Sequence, residues 1–430
     1  MARKMKDSGI EWIGEIPEGW ETINPKALFT QRKDRASKGE RQLTSSQQYG
    51  ILYQDEYMEL TGSKVVTVEK DFDILKHVEA GDFVISMRSF QGGLEYSTNS
   101  GAISSAYVML VPNLELVYPR FYRWLLKSSV YIDALQRTTN MVRDGQAMRY
   151  SNFAQVRLFT LPLDEQKSRA DFLDLECSSI DKILFKTRSS IEEHKKLKQA
   201  VITQAVTKGV RGEREMKDSG VEWAGLVPHH WGVAKIGSIG QTSSGATPLR
   251  SKEASFFDDA TIRWVRTLDL NDGLVYDSSE KITELALASS ACSIMPKGTV
   301  CVAMYGGAGT IGKCGLLMSD CATNQAVCSI VCNREIVSPI FLLMQLLALK
   351  SYWMKYAVGT RKDPNISQDI VARMKILIPP LDEQKEITDH LDAKCAEIDG
   401  LFAKKEQLVK ELESYKKSLI YEVVTGKREV

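Results

Sequence analysis

Two stretches constrain this 430-residue chain most, because each is a heptad-patterned run too long for an ordinary globular helix. Pro380 to Thr425 begins PLDEQKEITDHLDAKCAEID and carries apolar residues at Ile387, Leu391, Ile398, Leu401, Leu408, Leu412, Tyr415 and Leu419. Lys, Glu and Asp fill the intervals, and Gly400 is the sole helix-breaking residue before Gly426. A stripe held at a 3.5-residue period predicts a long helix with a seam for a partner helix. Pro162 to Thr207, beginning PLDEQKSRADFLDLECSSID, is a direct repeat of the first and supplies that partner. Its seam reads as Leu173, Ile180, Ile183, Leu197 and Val201, interrupted by Thr187, Ser190 and His194.

A second repeat precedes each globular stretch: MKDSGIEWIGEIPEGW from Met5 to Trp20, and MKDSGVEWAGLVPHHW from Met216 to Trp231. The chain is thus a globule and a long helix, taken twice. We divide it into a first globule (1–161), a first helix (162–208), a second globule (209–378, with the polar connector 208–215) and a second helix with its tail (379–430). The expected class is α+β: two similar globules separated by two long antiparallel coiled-coil helices, with pseudo-twofold symmetry. The C-terminal VTGKREV is similar to the internal VTKGVRGERE, as though the last helix could feed back into the first motif.

Composition sets outer limits. Hydrophobic residues make up 43% of the chain and charged residues 26%, enough to build sizeable cores in two or three domains. The formal net charge is +1, so a nucleic-acid surface must come from local clustering of Lys and Arg. MARKMKDSG has no apolar segment behind its charges, and no apolar run nears the ~18 residues of a membrane helix. The expectation is a cytoplasmic protein with no membrane partner. Six of the eight cysteines fall from Cys292 to Cys332, without a CxxC pair or a nearby His. That pattern argues for buried reduced thiols and against a metal site.

In the first globule, strands are expected at Val65–Val68, Phe83–Met87 and Tyr107–Val111, and a helix opened by Pro from Pro119 to Leu135. FQGGLEY (Phe90–Tyr96) and RTTNMVRDGQAMRYS (Arg137–Ser151) read as exposed loops. In the second, strands are expected at Ile262–Val265, Val300–Met304, Gly315–Met318 and Ala326–Val331, and a helix at Pro339–Lys355. GTRKDPNIS (Gly359–Ser367) stands where the first globule has Arg143–Ser151. The helices have stayed alike while the globules have diverged. Two globules of one plan with different surfaces suit two different targets, and a stiff helix pair would fix the distance between them. Forty-odd helical residues span ~60–65 Å, on the order of 18 base pairs of duplex.

The doubled opening motif (Trp12, Gly14, Ile16, Pro17, Trp20; Trp223, Gly225, Val227, Pro228, Trp231) and the doubled PLDEQ (Pro162–Gln166; Pro380–Gln384) resemble the DNA specificity subunit of type I restriction–modification enzymes, over the whole chain. The resemblance implies a non-catalytic subunit whose two target recognition domains each read one half of a split, asymmetric site in double-stranded DNA. It implies that the helices set the gap and dock two methyltransferase subunits, with restriction/translocase subunits joining the full complex. No cofactor is expected on this subunit; S-adenosylmethionine, ATP and Mg belong to the partners.

Two enzyme-like motifs fall short of the chemistry they suggest. GAGTIGKC (Gly307–Cys314) approaches a P-loop, but Cys314 stands where the Mg-binding hydroxyl should be, and no helix signal follows. DPNI (Asp363–Ile366) lacks the aromatic residue that stacks on a flipped base. Arg can pair with guanine, Gln or Asn with adenine, and Lys with phosphate. The DNA-contact candidates, all in polar or Gly-containing stretches, are Arg88, Gln91, Arg143, Gln146 and Arg149 in the first globule. In the second they are Arg250, Arg266, Tyr305, Lys313, Arg361 and Lys362. The alternative class is a coiled-coil adaptor whose globules bind proteins, against which the Arg, Gln and Lys content of the equivalent loops argues.

Overall fold

The computed structural model describes residues 3–68, 72–86, 89–138, 148–306, 309–359 and 364–430. The chain forms two compact units: unit 1 is Met1–Arg188 with Gln407–Val430, and unit 2 is Ser189–Glu406. The long helices, Leu163–Lys208 and Leu381–Val424, are continuous, so each unit contains a segment of both.

In unit 1 the central sheet contains β1 (Phe29–Arg32), β2 (Phe83–Ile85), β3 (Glu95–Tyr96) and β4 (Val108–Pro112), in the order β1-β4-β2-β3 and antiparallel throughout. One face buries Phe29, Phe83 and Leu110 against α1 (Pro119–Leu125) and the helix segments. The other covers a smaller cluster with Val84, Met109 and Ile103. In unit 2 the corresponding sheet contains β5 (Gly240–Ser244), β10 (Val300–Ala303), β11 (Cys314–Leu317) and β13 (Val327–Cys332). It gains a fifth strand, β7 (Gly273–Val275), parallel to β11, for the order β5-β13-β10-β11-β7. A second sheet contains β6 (Ile262–Val265), β8 (Glu280–Ile282), β9 (Ile294–Met295) and β12 (Cys321–Thr323), in the order β8-β6-β12-β9. The helix packed on the first sheet is α2 (Pro339–Ala348).

Several expected elements change. Val65–Val68 forms no strand; Val66 is exposed, and the Gln42 side chain bonds the Val68 main chain instead. The expected helix Pro119–Leu135 is two, because Ser128 caps a new helix at Ser129–Arg137. Likewise α2 ends at Ala348, before a short helix at Trp353–Tyr356. Cys314 opens a strand rather than a helix, which removes the support a phosphate loop needs. All eight cysteines are free, and no group able to hold a metal occurs among the described residues. Among those residues no helix is long and apolar enough to cross a membrane.

Within each unit the long-helix segments run antiparallel. Asp181 pairs with Lys416 at 2.6 Å and Arg188 with Glu413 at 2.5 Å in unit 1. In unit 2 Lys198 pairs with Asp399 at 2.6 Å, and the His194 and Phe402 rings lie 6.3 Å apart. Leu173, Ile180, Ile387, Leu391, Ile398 and Leu419 are buried, and Leu412 and Val201 pack at the core margins. Four expected seam residues are not in the seam: Ile183 is 47% exposed, Leu197 51%, Leu401 39% and Leu408 41%. Tyr415 is exposed as well. The inward positions are their neighbours Leu184, Lys198, Phe402, Val409 and Lys416, together with Ile191 and the polar Thr187, His194 and Lys405. Lysine stems cover apolar surface while their ammonium groups reach Asp399, Ser190 and Asp181 at the rim. Counting apolar residues alone therefore misplaces the stripe by one position.

Candidate nucleic-acid interface

The repeated motifs seat each globule on its helix segments. In unit 1 the PLDEQ residue Glu165 accepts the indole N–H of buried Trp20 at 3.0 Å and pairs with Arg3 at 2.5 Å and Arg169 at 2.7 Å. In unit 2 Glu383 accepts from Trp231 at 3.2 Å, meets His230 at 2.9 Å and pairs with Arg214. Burial would raise the Glu165 carboxyl, but hydrogen bonds from Arg3, Arg169 and Trp20 outweigh it and hold the group at about 2. Glu383 is lowered in the same way: burial is outweighed by His230, Arg214 and Trp231.

The next motif residue is a fully buried glutamine. Gln166 accepts from the Tyr118 N–H at 2.7 Å and donates to the carbonyls of Leu116 at 2.8 Å and Leu161 at 2.9 Å. Gln384 accepts from the Ser338 N–H at 2.8 Å and donates to Ile336 and Pro379, both at 2.9 Å. Each therefore ties a long helix to the first turn of α1 or α2. The first tryptophans of the opening motifs, Trp12 and Trp223, donate to the carbonyls of Arg157 at 3.3 Å and Lys375 at 3.0 Å. Gly14 and Gly225 have φ of +72° and +60°, which explains the glycine between each pair of motif tryptophans.

On these shared seats, the loops at one end of each sheet differ. In unit 2, β5 and β10 end, and β11 and β13 begin, at a common rim. The end of β6 joins it, because the Asn324 N–H donates to Val265 at 3.0 Å and the Ala246 N–H to Thr323 at 3.0 Å. The rim gathers Thr247, bonded to Gln325, and Tyr305, bridged to Asn365. Burial raises the Tyr305 phenol against a hydrogen bond with Gln325. Arg250 and Arg266 converge on one carboxylate, Glu280, at 2.5 and 2.6 Å. Lys313 sits at the base of the glycine loop, its carbonyl accepting from the Ala303 N–H at 2.8 Å.

In unit 1, Gln91 is exposed in the helical turn Ser89–Gly92, on the loop from β2 to β3. Arg149 is exposed before the turn Tyr150–Phe153. Arg88, Arg143, Gln146, Arg361 and Lys362 lie outside the described residues. The structure adds residues that sequence reasoning missed. In unit 1, Lys33 and Arg35 follow β1; Arg35 bridges to Lys76, whose Nζ donates to the Tyr107 carbonyl at 2.6 Å beside the turn into β4. Burial, then Arg35, lowers the Lys76 pKa. The run RKDR (Arg32–Arg35) was the available signal. In unit 2, Thr247, Gln325, Asn365 and Glu280 were missed; the polar turn TNQ (Thr323–Gln325) between two apolar runs could have shown Gln325.

The chain is similar to the DNA specificity subunits of type I restriction–modification systems. The family's type I restriction modification DNA specificity domain matches residues 228–411. The chain is similar to the MjaVIII type I restriction enzyme specificity subunit of Methanocaldococcus jannaschii, at 23% identity over 359 residues, covering 81% of this chain and 80% of the relative. Its fold is similar to that of a chain solved in work on complex assembly and conformational transition of the type I R-M system, with a TM-score of 0.73 at 14% identity, covering 96% and 99% of the two chains. It is also similar to the HsdS subunit from Thermoanaerobacter tengcongensis, with a TM-score of 0.51 at 14% identity, covering 96% and 98%.

Proposed function

We propose that this chain reads a bipartite, asymmetric site in double-stranded DNA, one half with the loop rim of each unit, and scaffolds the other subunits of a type I restriction–modification complex. The observation that carries this reading is the pairing of like anchors with unlike rims. Glu165 and Glu383 do the same work, whereas Lys33, Arg35 and Lys76 line one rim and Arg250, Glu280, Arg266 and Gln325 the other. Two methyltransferase subunits dock on the long helices, and restriction/translocase subunits complete the assembly. Methyl transfer and ATP-driven chemistry, with S-adenosylmethionine, ATP and Mg, reside on those partners; this chain binds and positions.

The test is reconstitution with the methyltransferase, followed by mapping of methylated adenines. Exchanging Met216–Ile378 for the same region of a relative should alter one half-site and leave the other intact. Lengthening both long helices by four residues should change the preferred spacer and neither half. A change in both halves after the exchange would sink the one-unit, one-half assignment; an unchanged spacer would sink the ruler. Affinity should fall steeply with salt, as phosphate contacts require. An adaptor for proteins would show no such slope.

A further inference from the structure

Two of the arginines that sequence reasoning offered to DNA are already paired. Arg250 Nη2 meets one oxygen of Glu280 at 2.5 Å, and Arg266 Nη1 meets the other at 2.6 Å. With both oxygens engaged, the carboxylate cannot turn without breaking a charge-assisted bond. Arg266 is held further by Nη2 donating to Ser279 Oγ at 2.9 Å and by its main-chain N–H donating to Asp269 at 2.8 Å. The guanidinium of Arg250 lies 4.4 Å from the Phe257 ring centroid and 5.6 Å from that of Trp264, and Arg266 lies 5.7 Å from Trp264 on the same indole. Arg266 Nε is buried and has no partner, so this arginine presents only its terminal nitrogens.

A phosphate contact tolerates slack and gains from an unpaired cation. A base contact needs a fixed fork, and guanine O6 and N7 are the edge that fits one. A carboxylate beside the forks also repels phosphate, which penalises random DNA more than a correctly seated site. We propose that Arg250, Glu280 and Arg266 form one guanine-reading group in unit 2, with Glu280 as the positioning residue that fixes the two arginines and disfavours non-specific DNA. This rests on the reading of unit 2 as the reader of one half-site, and it adds the base and the residues.

The experiment uses the full chain with its methyltransferase and a panel of duplexes in which each G·C pair of either half-site is changed to A·T in turn. Glu280→Gln keeps the shape and removes the charge. It should reduce discrimination at one or two guanines of a single half by about 10- to 100-fold, leave the other half unchanged, raise non-specific binding and steepen the salt dependence. Arg250→Lys and Arg266→Lys keep charge but lose the fork; they should lose discrimination at the same guanines with the salt slope retained. These two variants decide the matter if Glu280→Gln folds poorly. Unchanged guanine discrimination in all three variants, or equal losses in both halves, would overturn the proposal, whatever happens to thermal stability. If the wild-type complex shows no bipartite site at all, the underlying reading fails instead.

Discussion

Unit 1 and unit 2 solve one problem by different means. In unit 2 the first long helix runs on without a break into the connector that leads to the second opening motif, so the peptide chain itself holds the corner beside Glu383 and Trp231. In unit 1 the same corner is made by two chain ends. There Arg169, 1% exposed, donates to the carbonyls of Val423 at 2.8 Å and Arg428 at 2.9 Å, and its other nitrogens bind Glu165. The repeat places Ile387, an ordinary core residue, at the position of Arg169. At this position of the repeat, unit 1 thus has a fully buried guanidinium and unit 2 an apolar side chain. Gly426 and Gly209 mark the equivalence: a Cβ on Gly426 would lie 2.9 Å from Trp20, and one on Gly209 3.3 Å from Trp231.

Arg169→Ile, which copies unit 2 into unit 1, should have the largest effect. It leaves Glu165 short of a partner and two carbonyls unpaired, a loss of about 3–5 kcal/mol for a broken buried pair. Hydrogen exchange should show loss of protection from Val423 to Arg428 while the corner around Glu383 keeps its own. Full protection of the tail in the variant would show that the guanidinium is not what closes unit 1.

Gln166→Leu and Gln384→Leu sharpen the comparison from the opposite side. Each orphans one buried N–H and two carbonyls, and each should destabilise its unit by about 2–3 kcal/mol. Because the three bonds match in the two units, the effects should agree within about 1 kcal/mol. Denaturant unfolding followed by unit-specific hydrogen exchange measures both; a large asymmetry would mean that the shared motif does different work in its two copies.

That contrast also explains how much was legible in the sequence. The anchors were visible as motifs because Trp20 and Glu165 recur as Trp231 and Glu383, although only coordinates reveal that the tryptophan donates to the glutamate. The seam was half legible. Apolar spacing identified Leu173, Ile180 and Leu419, then drifted onto Ile183, Leu401 and Leu408, because Lys405 and Lys416 take inward places with their aliphatic stems. The Glu280 cluster was not legible at all. Glu280 follows Arg266 by a turn and a strand, and only the register of β6 with β8, Trp264 opposite Glu280, brings that carboxylate to the arginines. Rim residues lie on loops and serve no periodic core, so no spacing rule marks them.

Acid should separate the units next. Glu165, held at about 2 against an ordinary value of 4.5, contributes stability that is fully present above the ordinary value and is lost as pH falls through the window between them. Glu383 is lowered too and acts with the same sign. In Arg169→Ile the window for unit 1 should narrow from its lower edge, since one of the groups holding the carboxylate down is gone. Melting temperature followed from pH 6 to pH 2 should therefore fall less steeply in the variant below the ordinary carboxylate value, while the slope owed to Glu383 remains.

The smallest expected effect lies at the opposite end of the pH range and in unit 1 alone. His77 stands between Glu40, at 2.8 Å, and Glu79, at 2.9 Å. Burial would lower its pKa, but hydrogen bonds to Glu79 and Glu40 outweigh burial and hold it above the ordinary value. A raised folded value means stability that is fully present below the ordinary histidine pKa and is lost as pH rises through the folded one. Unit 2 has Ile294 at the matching place: Ile294 pairs with Ala322 on β12, as His77 pairs with Ala102 in the ladder of Lys76–Val78 with Gly101–Ile103. His77→Asn should therefore flatten the near-neutral pH dependence of unit 1 by under about 1 kcal/mol and leave unit 2 unmoved. A pH slope that survives the substitution would place the titrating group elsewhere and remove His77 from the list of differences between the units.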